Sequence, residues 1–274
     1  MACVLHDAGV KYQIRHRTHY RYTQPLRSAV QTLCLTPRHT DTQHVHHWQL
    51  QSPTPLQPQT DAWGNHSHVL AVGAGARMLQ CEATGVVETL GASLQSDPLG
   101  PDPRLYLMPS ALARADDALR HSALAAVRGV EDRQAQALVL TALVAEHVRY
   151  QPGRTNANTT AAEAWLGGAG VCQDQAHVLV AACRAVGLPA RYVSGYFHAS
   201  GAPELASHAW AQVCLDPAER RWLGLDVTHH CLVDERHVQI AVGPDYAACA
   251  PVRGVRSGGG GEQLTVSVEI TPQD

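Results

Sequence analysis

The chain has 274 residues, of which 45% are hydrophobic and 16% charged, and its formal net charge at pH 7 is −3. That is the composition of a globular chain with a substantial core, either one large domain or two modest ones. The slight acidity excludes a global attraction to nucleic acid or anionic lipid, and no run of 18 apolar residues is present to span a bilayer.

The first residues, MACVLHDAGVKYQIRHRTHY, hold no apolar stretch of the secretory type. Short extended runs broken by turn signals follow as far as about Glu88. "YQIRHRTHYRY" alternates, Pro25, Pro37 and "SPTPLQP" punctuate, and "DAWGNHSHVLAV" turns at Gly64-Asn65 into a strand. Residues 1–92 therefore read as a β-rich domain, and 93–104, in the Gly-, Pro- and Ser-rich "GASLQSDPLGPDPR", as a linker. The period then changes. "SALARADDALRHSALAAVRG" and "EDRQAQALVLTALVAEHVRY" predict helices, the second with Leu140, Val144 and Val148 in one stripe. "AAEAWLG" predicts a short helix ended by Gly167-Gly168. "CQDQAHVLVAACRAVGLP" predicts another, with Leu179, Ala182, Cys183 and Val186 on one face and a Gly-Leu-Pro stop. Three strands follow in "ARYVSGY", "SHAWAQVCL" and "RWLGLDVT". The tail "SGGGGEQLTVSVEITP" reads as a flexible loop and an alternating strand. Helices first and strands afterwards make residues 105–274 an α+β unit.

Cys172 falls between a glycine-rich approach and the first turn of a predicted helix. A thiolate is favoured at a helix N-terminus, and the unpaired N–H groups of the first turn point at the sulfur and at any oxyanion formed beside it. A base and a group to orient it are then required. His208 lies on the following strand pair, 36 residues on, and Asp226 ends the next strand, 18 residues further. Two antiparallel strands would bring Asp226 beside His208. Each residue also has a structural reading: a small buried hydrophobe, a strand histidine and a turn aspartate. Spacing alone leaves both readings open.

"GVCQDQAHVLVAACRAVGLPARYVSGY", "SHAW" and "LDVTHH" resemble the core of bacterial transglutaminase-like proteins, whose fold is papain-like. "YQIRHRTHYRYTQPLRSAVQTLCLTPR" and "DAWGNHSHVL" resemble the β-domain that precedes that core, and "YQPGRT" and "DYAACAPVRGVRSGGG" extend the resemblance over nearly the whole chain. The resemblance implies a cysteine protease or amidase with Cys172 as nucleophile, His208 as general base and acid, and Asp226 fixing the imidazole tautomer. It implies one oxyanion donor in the Cys172 N–H and a second from a side chain upstream, for which Tyr150 is the candidate and Gln151 and Trp165 the rivals. Ser207 and Tyr196 are carried as substrate-binding candidates. Gln175, Gln212, Val227, His229 and Ala248 depart from the family's pattern. The departures bear on substrate preference and on the turn after Asp226.

The reaction expected is acyl transfer from a peptide or protein amide through a thioester. Water as acceptor makes a hydrolase, the favoured reading; an amine makes a transglutaminase. Two readings of other classes are a non-catalytic peptide-binding module and a metal enzyme. The latter is prompted by His44 and His46 on one strand and His66 and His68 on another, without an HExxH, a CxxC or a carboxylate partner. No metal and no cofactor is expected. Cys183 and Cys214 should be unreactive beside Cys172. With eight cysteines free of CxxC spacing, a cytoplasmic setting is expected, and the β-domain's sheet edges leave a homo-oligomer possible.

Overall fold

The computed structural model describes residues 9–200 and 207–273, so the first eight residues read above for an export signal lie outside the described residues. Six strands come first: β1 (Val10–Tyr22), β2 (Leu26–Thr36), β3 (Gln43–Gln51), β4 (Leu56–Thr60), β5 (His66–Val72) and β6 (Met78–Thr89). Tyr12, Ile14, His16, Thr18, Tyr20 and Tyr22 alternate inward along β1, as a half-buried strand requires. The inner face serves two partners. Tyr20 and Tyr22 join Leu26, Leu33, Leu70 and Leu79 between the two sheets. Tyr12 and Ile14 instead pack with Tyr196, Val238 and Ile240 of the second half of the chain.

The second half is built around one buried helix. After β7 (Leu94–Ser96) and a 3-10 turn (Pro103–Leu107) come α1 (Asp117–Ala126), α2 (Arg133–His147), β8 (Arg149–Tyr150), α3 (Ala161–Gly167), β9 (Ala169–Gly170) and α4 (Cys172–Ala185). Then follow β10 (Ala190–Phe197), β11 (Ser207–Asp216), β12 (Arg221–Asp226), β13 (Cys231–Leu232), β14 (His237–Gly243) and α5 (Tyr246–Cys249). The sheet runs β13-β12-β11-β10-β14, with β7 paired to β12. Leu140 and Val144 of α2 meet Leu179, Ala182 and Cys183 of α4, which cover Ala211, Val213 and Leu225 of the sheet. The stripe expected on α2 is this contact.

Three parts differ from the sequence reading. The first predicted helix begins only at Asp117, because Asp116 turns the chain and caps it, its carboxylate accepting the Leu119 N–H at 2.8 Å. Residues 93–104 are not a free linker: β7 adds to the core sheet, and Asp97 is buried against Arg191 at 2.6 Å. The last two strands, β15 (Val252–Gly258) and β16 (Glu262–Gln273), leave the α+β unit and return to the β-domain. β15 pairs with β2 and β16 with β1, giving sheets β15-β2-β5-β4 and β16-β1-β6-β3. The glycines between them form a tight crossing with positive φ at Gly258, Gly259 and Gly260. That crossing is hydrogen-bonded to the parallel one at Thr23 and Gln24, which donate to Gly261 and Gly259 at 3.0 Å.

Candidate active site

The approach to Cys172 is fixed from both sides. α3 ends at Gly168 in the left-handed region (φ 61°). β8 and β9 then form a two-residue parallel pair, closed by Gln151 N–H donating to Gly170 O at 2.7 Å. Asp174, two residues past the cysteine, reaches back: its Oδ2 accepts the Val171 N–H and the Thr155 hydroxyl, both at 2.7 Å. A Cβ on Gly170 would lie 2.6 Å from the Asp174 Cβ and Oδ2, so only glycine leaves room for that carboxylate. Cys172 becomes the first residue of a fourteen-residue helix and is half-buried there, in the turn whose N–H groups have no intrahelical partner.

The expected partners assemble at that end. His208 is buried at the start of β11, and its Nε2–H donates to Asp226 Oδ2 at 2.8 Å. With Nε2 so engaged, Nδ1 is the ring edge left for Cys172. Burial pulls the His208 pKa down, but the Asp226 carboxylate and the neighbouring Cys172 thiol outweigh it and hold it above its ordinary value. The antiparallel β11–β12 pair sets Ala211 opposite Leu225, which carries the strand ends bearing His208 and Asp226 to the same margin.

Asp226 does more than the sequence assigned. Its Oδ2 accepts from three imidazoles: His208, His229 Nδ1 at 2.7 Å and His237 Nε2 at 3.0 Å. Its Oδ1 takes the His229 N–H at 3.2 Å. Burial would push this carboxyl up, but the three rings hold it far below the usual carboxylate range. His237, buried, is clamped on its other side by Asp234 Oδ1 at 3.0 Å, and the two carboxylates raise its pKa against the effect of burial. His229 stacks on Phe197, with centroids 3.9 Å apart. The next residue back, Thr228, donates to Gln175 Oε1 at 2.7 Å, and Gln175 Nε2 donates to Val148 O at 2.8 Å. Two departures from the family's pattern, Gln175 and His229, thus lock the turn after Asp226 onto α4 and β10.

The remaining candidates are dispersed. Tyr150 is largely exposed on β8; burial of the rest of its ring and the nearby Cys172 raise its pKa, which places it within electrostatic reach of the sulfur. Gln151 is exposed. Trp165 is a core residue stacked on His147 at 3.7 Å, which removes it as an oxyanion donor. Ser207 is exposed at the head of β11. Tyr196 is not at a cleft margin: it is 2% exposed, with its hydroxyl bonded to His16 Nδ1 at 2.8 Å, because β1 covers that face of β10. Cys183 and Cys214 are fully buried, and burial pushes their thiols up to about 12 and about 11. Sequence reasoning missed Asp174, Asp234 and His237. Asp174 carried a signal, as an acid at the third helical position; Asp234 and His237 carried none.

The histidine pairs of the β-domain have other occupations or lie apart: His46 Nε2 meets Glu88 at 2.7 Å, beside a bulge in β3. Among the described residues, the donor triplets close enough for a metal are His208–Asp226–His229 and Asp226–Cys231–His237. Both include Asp226, whose Oδ2 already accepts from His208, His229 and His237.

The family model of the transglutaminase-like superfamily matches residues 120–227, and that of the bacterial transglutaminase-like N-terminal region matches residues 12–88. An uncharacterised protein of Mycobacterium tuberculosis is 31% identical over 96% of this chain and 93% of its own length. One from Mycobacterium leprae is 29% identical over 95% and 98%. A crystal structure from Cytophaga hutchinsonii, named "Putative Cysteine Protease", superposes with a TM-score of 0.77 at 24% identity, covering 97% of this chain and 91% of that one.

Proposed function

From the premise that the chain belongs to the transglutaminase-like superfamily, with the bacterial transglutaminase-like N-terminal region, we infer that it is a cysteine-dependent hydrolase of peptide or isopeptide amides. The observation that carries this reading is the His208 ring, held by Asp226 at 2.8 Å at the N-terminal end of α4, where Cys172 begins the helix. Asp226 keeps the proton on Nε2, so Nδ1 accepts the thiol proton. The thiolate adds to the amide carbonyl, and the oxyanion meets the Cys172 N–H, with Tyr150 as the side-chain donor. The C–N bond breaks as the His208 imidazolium gives its proton to the leaving amine. His208 then takes a proton from water, whose oxygen displaces sulfur from the thioester, and acid and thiol are regenerated.

Transfer to an amine would use the same steps with a different second nucleophile. Water is taken as the acceptor in this reading, with Cys172 partly exposed to solvent. A reducing, cytoplasmic setting goes with this chemistry, since the seven described cysteines are all free. The test is a panel of peptide and isopeptide substrates with and without a primary amine. Acid products, a thioester mass on Cys172 and complete loss in Cys172→Ala are expected; full turnover by Cys172→Ala ends the assignment, and amide products in the amine arm move it to transamidation.

A further inference from the structure

A cleft of ≈ 600 Å³ opens between β1 and β16 on one side and Ser207 and Tyr246 on the other. Its floor is a cross-strand ladder: Tyr20 faces Leu264, Thr18 faces Val266, and His16 faces Val268. Strand periodicity puts these six side chains on one face of the sheet. Further along that face, Val268 and Ile270 pack against Tyr196, Val238 and Ile240 of the core. Toward Leu264 the two halves part, and Leu264 and Val266 stay 50% and 47% exposed. An apolar stripe thus runs out of a packed interface into open space.

The opposite wall adjoins the reacting atoms. Ser207 immediately precedes His208 and shares its strand face with Ala209, which packs in the cluster that holds Tyr192 and Ala176 and against which Cys172 and Tyr246 lie. Tyr246 meets Tyr192 edge-on at 6.2 Å. No carboxylate, lysine or arginine lines the cleft among the described residues. The titratable imidazole in its floor, His16, is already engaged, Nδ1 with the Tyr196 hydroxyl at 2.8 Å and Nε2 with Thr18 at 3.2 Å. Burial lowers its pKa to about 4, so it is neutral near pH 7. A charged substrate side chain would lose water here and gain no charged partner among the described residues.

We propose that this cleft binds the substrate chain in extended form and takes a large apolar side chain, of the leucine, methionine or phenylalanine kind, next to the scissile amide. The proposal rests on the acyl-transfer reading and assigns the returning strand β16 a part in substrate selection. Pockets of this size with mostly apolar linings commonly hold one such group and the backbone around it.

The test uses dipeptidyl chloromethyl ketones that differ in one side chain, with Cys172 alkylation followed by mass spectrometry and each rate divided by that for iodoacetamide, which is too small to use the cleft. Leucyl and phenylalanyl reagents should exceed aspartyl and lysyl ones by about tenfold or more in this ratio. Val266→Asp, at a position 47% exposed on the edge strand, should lower the leucyl ratio by about tenfold. Thr265→Asp, on the other face, should not. Equal ratios across side chains, an unaffected Val266→Asp, or a dimer whose interface covers Leu264 and Val266 would overturn the proposal. An iodoacetamide rate that is the same in His208→Ala would instead remove the acyl-transfer reading beneath it.

Discussion

Three imidazoles share one oxygen of Asp226, and each can donate only if that oxygen stays an acceptor. Asparagine at this position would turn an amide N–H₂ or a weaker carbonyl toward rings that need a carboxylate. Asp226→Asn is therefore expected to release the His208 tautomer and lower turnover by on the order of 10³-fold or more. Cys172 alkylation should lose its dependence on His208 in the same variant. A variant within tenfold of wild type would show that backbone geometry alone orients the ring. The buried histidines also divide by sign. His208 and His237 are held above their ordinary pKa of 6.5, so their stabilisation is complete below that pH and is lost as pH rises through their folded values. His16 and His177 are driven down to about 4 by burial, so their contribution stands above pH 6.5 and is lost as pH falls toward 4. In that acid window each is protonated only on unfolding, which predicts a loss of about 1.4 kcal/mol per pH unit per histidine. Urea melts from pH 6.5 to 4 read this slope. His177→Gln, which can still accept the Tyr246 N–H that His177 Nε2 takes at 3.0 Å, should flatten it; an unchanged slope would assign the acid loss to other groups.

Cys172 owes its place to the start of α4, and that start depends on Asp174. Its carboxylate satisfies the Val171 N–H and draws in Thr155 from the preceding loop. Asp174→Ala should cost about 1–2 kcal/mol in a denaturant melt. It should also slow Cys172 alkylation, because the first turn loses its anchor to the 150s loop. Stability loss with unaltered alkylation would mean that β8 and β9 hold the thiol unaided. This element was legible in the sequence for physical reasons. The apolar period through Leu179, Ala182 and Cys183, the glycines before the cysteine and the Gly-Leu-Pro stop are all local signals. The strands of His208 and Asp226 were legible in the same way, as successive alternating runs joined by a short turn. The start of α1 was not, because alanine-rich helix propensity extends through 110–116, where the chain spends its hydrogen bonds otherwise: Asp245 takes the Leu112 N–H at 3.2 Å.

What the sequence withheld is long-range pairing. Nothing local in "EQLTVSVEITP" says that it lies beside β1 in place of closing the core, yet twelve register pairs from Lys11–Gln273 to Tyr22–Glu262 fix it there. His237 and Asp234 were equally silent, since their role exists only once β14 is folded against Asp226. The same holds for the composition-based linker, where "SDPLGPDP" reads as flexible and Asp97 is instead a joint between the two halves. Asp97 Oδ2 meets Arg191 of the core sheet at 2.6 Å and Arg38 of the β-domain at 3.4 Å. Both guanidinium groups, against the opposing effect of burial, hold its pKa below the usual carboxylate range. Arg191 is fully buried, lies 4.1 Å from the Trp222 ring centre and donates to Gln212 at 2.8 Å. Removing the carboxylate leaves that cation without a counter-charge in a low-dielectric site, a change that typically costs about 3–5 kcal/mol. Asp97→Ala is expected to lower stability by that amount in a urea melt, and Asp97→Asn, which keeps an acceptor oxygen, by less. Because Asp97 joins both halves, the Asp97→Ala loss should appear as one transition at a lower midpoint, followed alike by tryptophan fluorescence and by Cys172 labelling. A loss below about 1 kcal/mol would show that Trp222 and Gln212 suffice for Arg191; two separated transitions would show that the β-domain and the core unfold independently of this joint.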